Sequence, residues 1–242
     1  MNPLALVSRL RLPHKFLILS IIAVMLAAIP AYFYVREAAK GLDAYLSEQE
    51  GAPHVADVLK TIQLTQQHRG LSALYLGQVA GVEGKRQAKQ DEADRLYAKV
   101  DAVVRRIGDK GVTAAWDEAR ADWERLRQGV ATRTLTVPQS FAAHTALVPK
   151  LLKVSDLVGD YYGLSLDPDK DSYQLIQSVY YQLPYLTEEL GKTRALGAGL
   201  LARHEATPEE RARLAAYIGR VNDRQDQARM GYDKAAAANP AI

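Results

Sequence analysis

The sequence predicts an all-α protein, with an N-terminal transmembrane helix followed by an elongated up-down helical bundle. Residues 16–35 contain no charged side chain, and beyond them apolar residues recur at alternating steps of three and four, the spacing of packed helices. No stretch alternates apolar and polar residues for the length of a strand. The hydrophobic fraction of 48% and the charged fraction of 24% are typical of a globular chain.

The composition excludes several classes of site and partner. The chain has no Cys, which excludes disulfides, thiolate metal sites and a Cys nucleophile. The formal net charge of +3 corresponds to Arg9, Arg11 and Lys15 in the first fifteen residues, so basic and acidic residues balance in the rest. Because a nucleic-acid-binding face needs a basic surface on the folded part, we expect no nucleic-acid partner.

The first element is the span at residues 16–35, between a basic arm at residues 1–15 and a bundle at residues 36–242. As a helix it is about 30 Å long, the thickness of the hydrocarbon core of a bilayer. The basic arm before it predicts a cytoplasmic N-terminus and a periplasmic bundle, in the inner membrane of the cell. The alternative is a cleaved signal peptide, but apolar cores of signal peptides are usually only about 7–15 residues long.

The remaining elements are helices separated by turn residues. Pro53, the stretch 81–84, Gly108 and the stretch 132–138 are expected to form turns. Thr207-Pro208-Glu209-Glu210 matches a capping box with proline at the first helical position, which marks a helix start. The pattern predicts helices near residues 32–50, 54–79, 84–108, 112–131, 139–164, 172–204 and 208–237.

Two of these helices carry charge in the apolar stripe. The spacing of apolar residues on the helix near 54–79 places Gln66 and Arg69 in the stripe, and a buried Arg needs a partner. That partner is either a carboxylate on a neighbouring helix or a small anionic ligand. The helix near 172–204 carries Arg194 followed by small residues, so two Arg side chains on facing helices could hold an anion.

The turn at residues 166–172 contains three aspartates and has a cluster of tyrosines on either side. The cluster comprises Tyr161, Tyr162, Tyr173, Tyr180, Tyr181 and Tyr185. Tyr173 is the tyrosine we regard as a weaker ligand-binding candidate, although such clusters more commonly form core. Asp167, Asp169 and Asp171 have the first spacings of an EF-hand loop, but Ser172 replaces its glycine and Ser178 its final Glu. A helix N-cap is the better interpretation, and no metal site is expected.

No pattern of catalytic residues is apparent. The five His show no metal-ligand spacing, and neither a glycine-rich phosphate loop nor a nucleophile elbow is present. We expect His68 on the flank of its helix, and His144 in the core or on the surface. The chain is therefore not expected to be an enzyme, and no cofactor is predicted.

Two motifs resemble a known family. Residues 66–76 are similar to the Q-x-x-R-G-x-S-x-x-Y-L segment of all-helical extracytoplasmic sensor domains. Residues 166–173, followed by Leu183-Pro184 and by Leu190-Gly191-x-x-Arg194-x-x-Gly197, resemble their second signature. The chain thus resembles nitrate- and nitrite-sensing helical domains and, more loosely, helical bimodular sensors, over roughly residues 30–240.

The resemblance implies a site and a function. In the nitrate-sensing family arginines from two facing helices grip the anion, and the matching positions here are Arg69 and Arg194, with His68 where a second basic residue often stands. Such domains precede the signalling parts of methyl-accepting chemotaxis receptors, and also of histidine kinases and diguanylate cyclases. Because such receptors return through the membrane, we expect the 242 residues to be part of a longer protein.

Three hypotheses follow from the sequence. The first is the anchored sensory region of a chemotaxis receptor, which binds a small anion of the nitrate or carboxylate class and acts as a homodimer. The second is the same sensor attached to a histidine kinase or a diguanylate cyclase. The third is an anchored helical interaction module without a small ligand.

Overall fold

A computed structural model describes residues 11–242, apart from the side chains at 199, 202 and 203, so the first ten residues of the predicted basic arm lie outside the described part. The chain divides into two units, Met1–Leu46 and Ser47–Ile242. The described residues contain helices and no strand, which confirms the all-α prediction. The helices are α1 (Leu12–Leu76), α2 (Glu83–Ile107), α3 (Lys110–Ala131), α4 (Val137–Tyr161), α5 (Lys170–Ile176), α6 (Leu183–Arg203) and α7 (Pro208–Ala238).

In the first unit, α1 carries the apolar segment with its side chains on the surface. Phe16 is 60% exposed and Leu26 is 71% exposed, and the rest of the segment is exposed as well. By length and composition this stretch is sufficient to cross a membrane.

The turn predicted at Pro53 is wrong, because α1 continues through it without a break. Contacts on the N-terminal side of Pro53 favour the helical path. The Ser47 hydroxyl donates to the carbonyl of Tyr162 at 3.0 Å, and the Tyr162 side chain lies against Gly51, where a Cβ would come within 2.3 Å of it. The carbonyl that proline leaves without a helical partner is that of Gln49, an exposed residue that water can reach. Tertiary packing therefore outweighs the local cost of proline.

The core of the second unit includes apolar side chains at the predicted spacing of three and four residues, most completely on α3. The seam of α3 is buried along its length, at Val112, Trp116, Ala119, Trp123, Leu126 and Val130. The two indoles donate from Nε1 to carboxylates on α2, Trp116 to Asp101 at 2.8 Å and Trp123 to Asp94 at 2.7 Å. These bonds satisfy the polar edge of each ring while its apolar surface is buried.

Capping boxes start two helices. At α7 the Thr207 hydroxyl accepts the amide of Glu210, whose carboxylate accepts the amide of Thr207, as the sequence predicted. The same arrangement joins Thr136 and Gln139 at α4. Each box satisfies backbone N–H groups that a helix start leaves unpaired.

The helix predicted at 172–204 is interrupted by a π-helical segment, Gln177–Gln182, between α5 and α6. Pro184, the second residue after this segment, cannot donate a backbone hydrogen bond, which explains a widened turn here. The amide of Leu183 instead donates to the carbonyl of Ser178, five residues back. The Ser178 hydroxyl donates to the carbonyl of Ala228, and this segment packs against α7 at Gly231.

Candidate functional site

A groove of about 840 Å³ lies between α1 and the π segment with α6. The wall from α1 includes Lys60, Gln63, Gln66 and Arg69. The opposite wall, from the π segment and α6, is largely apolar and ends at Arg194. The structure thus brings Gln66, Arg69 and Arg194 into one groove, whereas Tyr173 is not among its lining residues.

The Arg69 guanidinium is paired with Glu188 of α6. Its Nη1 donates to Oε1 at 2.8 Å and its Nη2 to Oε2 at 3.2 Å, the two-bond geometry that suits arginine and a carboxylate. Arg69 is 5% exposed and Glu188 is 2% exposed, so the pair is almost fully removed from water. Glu188 is therefore the partner that a buried Arg69 requires.

Further donors complete this cluster. The Gln66 amide donates to Glu188 Oε2 at 3.0 Å, and Arg69 Nη1 also donates to the Thr145 hydroxyl at 3.2 Å. Lys192 Nζ lies 4.0 Å from Glu188 Oε1, and the Arg69 guanidinium lies over the ring of Phe141. With these contacts, the buried carboxylate and the buried cation are both satisfied.

The absence of a side chain at Gly191 leaves room for the Arg69 guanidinium. A Cβ at this position would lie 2.7 Å from Arg69 Nη2, closer than atoms approach without one of them moving. The guanidinium cannot move aside freely, because Glu188 holds both of its Nη atoms. The glycine in the second sequence motif therefore allows close approach of a charged side chain on α1.

Two cations in the groove lack an acidic partner among the described residues. Arg194 is exposed and forms no ion pair there. Lys60 donates to the amide oxygen of Gln63 at 2.8 Å and likewise has no carboxylate within ion-pair distance in the described part of the chain. Of the described residues that line the groove, none is acidic.

Three tyrosines of the predicted cluster lie in the π segment and at the start of α6. Tyr180 lines the groove, and Tyr185 donates to Asp156 at 2.9 Å. Burial raises the pKa of Tyr185 to about 12, and the neighbouring Asp156 adds to the effect. The Tyr181 hydroxyl lies against Gly159 and is also shifted by burial, which raises its pKa to about 12. The hydroxyls of Tyr181 and Tyr185 stay protonated at neutral pH and carry no charge.

A second polar cluster lies on a different side of α1. His68 Nδ1 and His144 Nε2 are 2.9 Å apart, and both residues are fully buried. Arg86 Nη1 lies 3.5 Å from His68 Nε2, and Arg86 is itself only 3% exposed. The expectation that His68 flanks the bundle is therefore wrong, and His68 does not share the groove with Arg69.

Burial determines the charge state of the two histidines. Desolvation lowers the pKa of His68 to about 2, with the neighbouring His144 and the Arg86 cation adding to the shift. Desolvation also lowers the pKa of His144 to about 4, although its bond to the carbonyl of Ser140 opposes the change. Both imidazoles are neutral near pH 7, and they form a core hydrogen bond rather than a cationic site.

The aspartates before α5 form local hydrogen bonds, but the predicted N-cap is wrong in detail, because Asp169 lies at the N-cap position and its side chain makes no capping bond. Asp167 Oδ1 accepts the amide of Asp169 at 2.8 Å, and Asp171 accepts the side-chain amide of Asn239 at 2.9 Å. No group of three or more potential metal ligands is found among the described residues.

Comparison with known families agrees with this architecture. The profile of the nitrate and nitrite sensing family matches residues 60–241, which is more than half of the chain. The chain belongs to this family. No curated protein and no solved structure matches it. The family match covers α2 to α7 and the part of α1 that contributes Gln66 and Arg69, and the family is one of sensors rather than enzymes.

Sequence reasoning missed two residues of this nitrate and nitrite sensing domain. The one signal for Glu188 was its spacing of three residues from Gly191, which places both on one helical face. That spacing alone does not identify the partner of Arg69, because the neighbouring Glu189 has the same side chain. Arg86 gave no such signal, because it lies near the start of a strongly polar helix. Its guanidinium lies over the ring of Tyr75, 4.9 Å from the ring centroid, and donates to Gln90 at 2.6 Å.

Proposed function

We propose that this chain is the membrane-anchored sensory region of a bacterial chemoreceptor, which binds a small anion in the groove and signals across the membrane. The observation that carries the proposal is that Gln66, Arg69 and Arg194, from two helices, line one groove. Membership in a nitrate and nitrite sensing family supports an anionic ligand. The cationic side chains supply charge complementary to it.

Signalling requires that the ligand bind one arrangement of the helices better than another. An anion in the groove contacts α1 on one side and α6 on the other, so it favours the arrangement in which they lie closer. The same helix α1 includes the apolar segment and Arg69. A small shift of α1 relative to α6 is a type of movement that receptors use to carry a signal.

Calorimetry of the intact chain in lipid nanodiscs, against nitrate, acetate, citrate and amino acids, tests the proposal. Loss of a charge-assisted hydrogen bond typically costs about 1.5–3 kcal/mol, so Arg194→Ala should weaken the bound anion by roughly 10- to 150-fold. Arg69→Ala is not used in this test, because it would also leave the buried Glu188 carboxylate without its partner. Arg213, an exposed arginine on α7, provides a matched control. If an anion binds and Arg194→Ala binds it as tightly as the unaltered chain, the arginine site is wrong.

The proposal also names the signalling output, which is a chemotaxis receptor rather than a kinase or a cyclase. The sequence that follows residue 242 distinguishes the alternatives. A long heptad-rich helical hairpin indicates a chemotaxis receptor, whereas a kinase or cyclase domain indicates the same sensor on a different output. Failure of every small molecule to bind would favour the third hypothesis, an anchored helical interaction module.

The proposal includes a topology and an assembly. The basic arm favours a cytoplasmic N-terminus, and the bundle would then be periplasmic, in the inner membrane. The part of α1 that follows the apolar segment exposes Leu42, Tyr45 and Leu46, which repeat at helical spacing. A second copy packed along this face would form a homodimer, the commonest symmetric oligomer.

A further inference from the structure

The groove has a surplus of positive charge. Three cations line it, but Glu188 neutralises Arg69 through two hydrogen bonds. Lys60 and Arg194 have no such partner in the described part of the chain, and no acidic residue is among those lining the groove. The accessible charge of the groove is therefore that of Lys60 and Arg194, which complements an anion.

The groove is also much larger and more apolar than an inorganic anion requires. Its walls include an aliphatic surface formed by Leu59, Ile62, Val179, Leu183 and Leu190. Its volume of about 840 Å³ lies in the range of roughly 300–1,000 Å³ that holds a typical small organic ligand. A four-atom anion would leave most of this surface in water, and Leu190 is 47% exposed. A ligand with an apolar body would cover it favourably.

The arrangement of charges locates the anionic end of such a ligand. The Arg69 fork is occupied by Glu188, and a second anion there would face a buried carboxylate at close range. Arg194 lies six residues beyond Glu188, or about 9 Å along the axis of α6. Its guanidinium is exposed, and it can hold a carboxylate through two hydrogen bonds.

We propose that the groove binds an organic monocarboxylate with an apolar body. The carboxylate pairs with Arg194, and the hydrocarbon part lies against the wall made by Leu59, Ile62, Val179, Leu183 and Leu190. The Arg69–Glu188 pair remains intact as part of the groove wall. This inference rests on the proposed function and adds to it the chemical class of the ligand.

A homologous series of acids tests the ligand class. Acetate, butyrate and hexanoate are titrated into the intact chain in nanodiscs, with nitrate in parallel and empty nanodiscs as the correction for lipid partitioning. Each methylene buried in the groove should tighten binding by up to about fourfold. We therefore expect hexanoate to bind at least about tenfold more tightly than acetate, and nitrate to bind no more tightly than acetate.

Three variants test the position of the ligand. Arg194→Met should weaken hexanoate binding by about tenfold or more, because it removes the charged hydrogen-bond donor. Leu190→Gln should weaken hexanoate binding severalfold and leave acetate unchanged, because only the longer acid reaches the apolar wall. Arg213→Met removes an exposed arginine outside the groove and should leave both affinities unchanged. These residues are exposed, so the substitutions should preserve the fold.

The outcomes separate this inference from the proposed function. Nitrate or acetate that binds as tightly as hexanoate, and depends on Arg194, would overturn the ligand class and leave the anion sensor standing. Hexanoate binding that is unaffected by both Arg194→Met and Leu190→Gln would overturn the site. Absence of binding by every anion would overturn the ligand class and the proposed function together.

Discussion

Arg69 and Glu188 are 119 residues apart in the chain, and they join α1 to α6 through hydrogen bonds of 2.8 and 3.2 Å. Both residues are almost completely buried. Because the desolvation of two charges is costly, the pair tolerates the removal of neither partner alone. It also fixes where α6 lies against α1, which determines the shape of the groove.

Removal of the Glu188 carboxylate should destabilise the bundle. Glu188→Ala leaves Arg69 as a buried cation without a counter-charge, at an expected cost of about 3–5 kcal/mol of unfolding free energy. The double variant Arg69→Met with Glu188→Leu removes both charges and should recover most of that loss. Urea unfolding followed by tryptophan fluorescence measures both values. If Glu188→Ala is as stable as the unaltered chain, the Arg69–Glu188 pair is solvated in solution.

Gly191 and Gly197 form a matched pair on α6. Gly191→Ala places a methyl group 2.7 Å from Arg69 Nη2 and should lower the unfolding free energy by about 1–3 kcal/mol. At Gly197 the nearest atom to an added Cβ is 4.0 Å away, so Gly197→Ala should be neutral or stabilising by up to about 1 kcal/mol. Equal effects of the two substitutions in the same unfolding assay would contradict this account of Gly191.

The buried histidines should make stability depend on pH. Their folded-state pKa values, about 2 for His68 and about 4 for His144, lie below the unfolded value of about 6.5. The unfolded chain therefore binds more protons on acidification, and stability should fall between about pH 7 and pH 5. Below the unfolded pKa the slope approaches about 1.4 kcal/mol per pH unit for each histidine.

A double variant isolates the contribution of the two histidines. His68→Gln with His144→Gln removes both titrating groups, so its unfolding free energy should vary less over the same pH range. His204 is exposed and lies at the end of α6 with φ at 56°, a conformation that Asn tolerates. His204→Asn should therefore keep the slope of the unaltered chain. A double variant with an unchanged slope would mean that other groups cause the pH dependence.

Dimerisation along α1 can be examined by crosslinking. The chain contains no Cys, so a single introduced Cys is the only thiol. Cys at Leu42, Tyr45 or Leu46 should form crosslinks between chains, because these residues share one exposed face. Cys at Lys40, on the opposite side of the helix, should react much less. Uniform failure at all four positions would support a monomer.

The predicted topology has a direct test in spheroplasts. A tag on residue 1 should be protected from added protease, whereas the chain beyond residue 40 should be cleaved, because the basic arm stays in the cytoplasm. A cytoplasmic marker protein reports the integrity of the spheroplasts. A mature protein that begins near Tyr32 would instead establish a cleaved signal peptide.

Some features of the site were predictable from local sequence, and others were not. The placement of Arg69 in an apolar stripe indicated a buried cation that needs a partner, and both arginines of the motif do line one groove. The identity of the partner was not predictable, because Glu188 and its neighbour Glu189 look alike in sequence. Only burial distinguishes Glu188, at 2% exposed, from Glu189, which pairs with Lys192 and Arg220.

The sequence by itself determined the helical class, the apolar segment at 16–35, the seam of α3 and the capping box at Thr207. These features follow from residue spacing and from interactions within a few residues, which are local properties of the chain. Tertiary structure alone decided that α1 continues through Pro53 and that His68 and Arg69 belong to separate clusters. Those outcomes depend on contacts with distant residues such as Tyr162, His144 and Glu188, and their burial outweighs local preference.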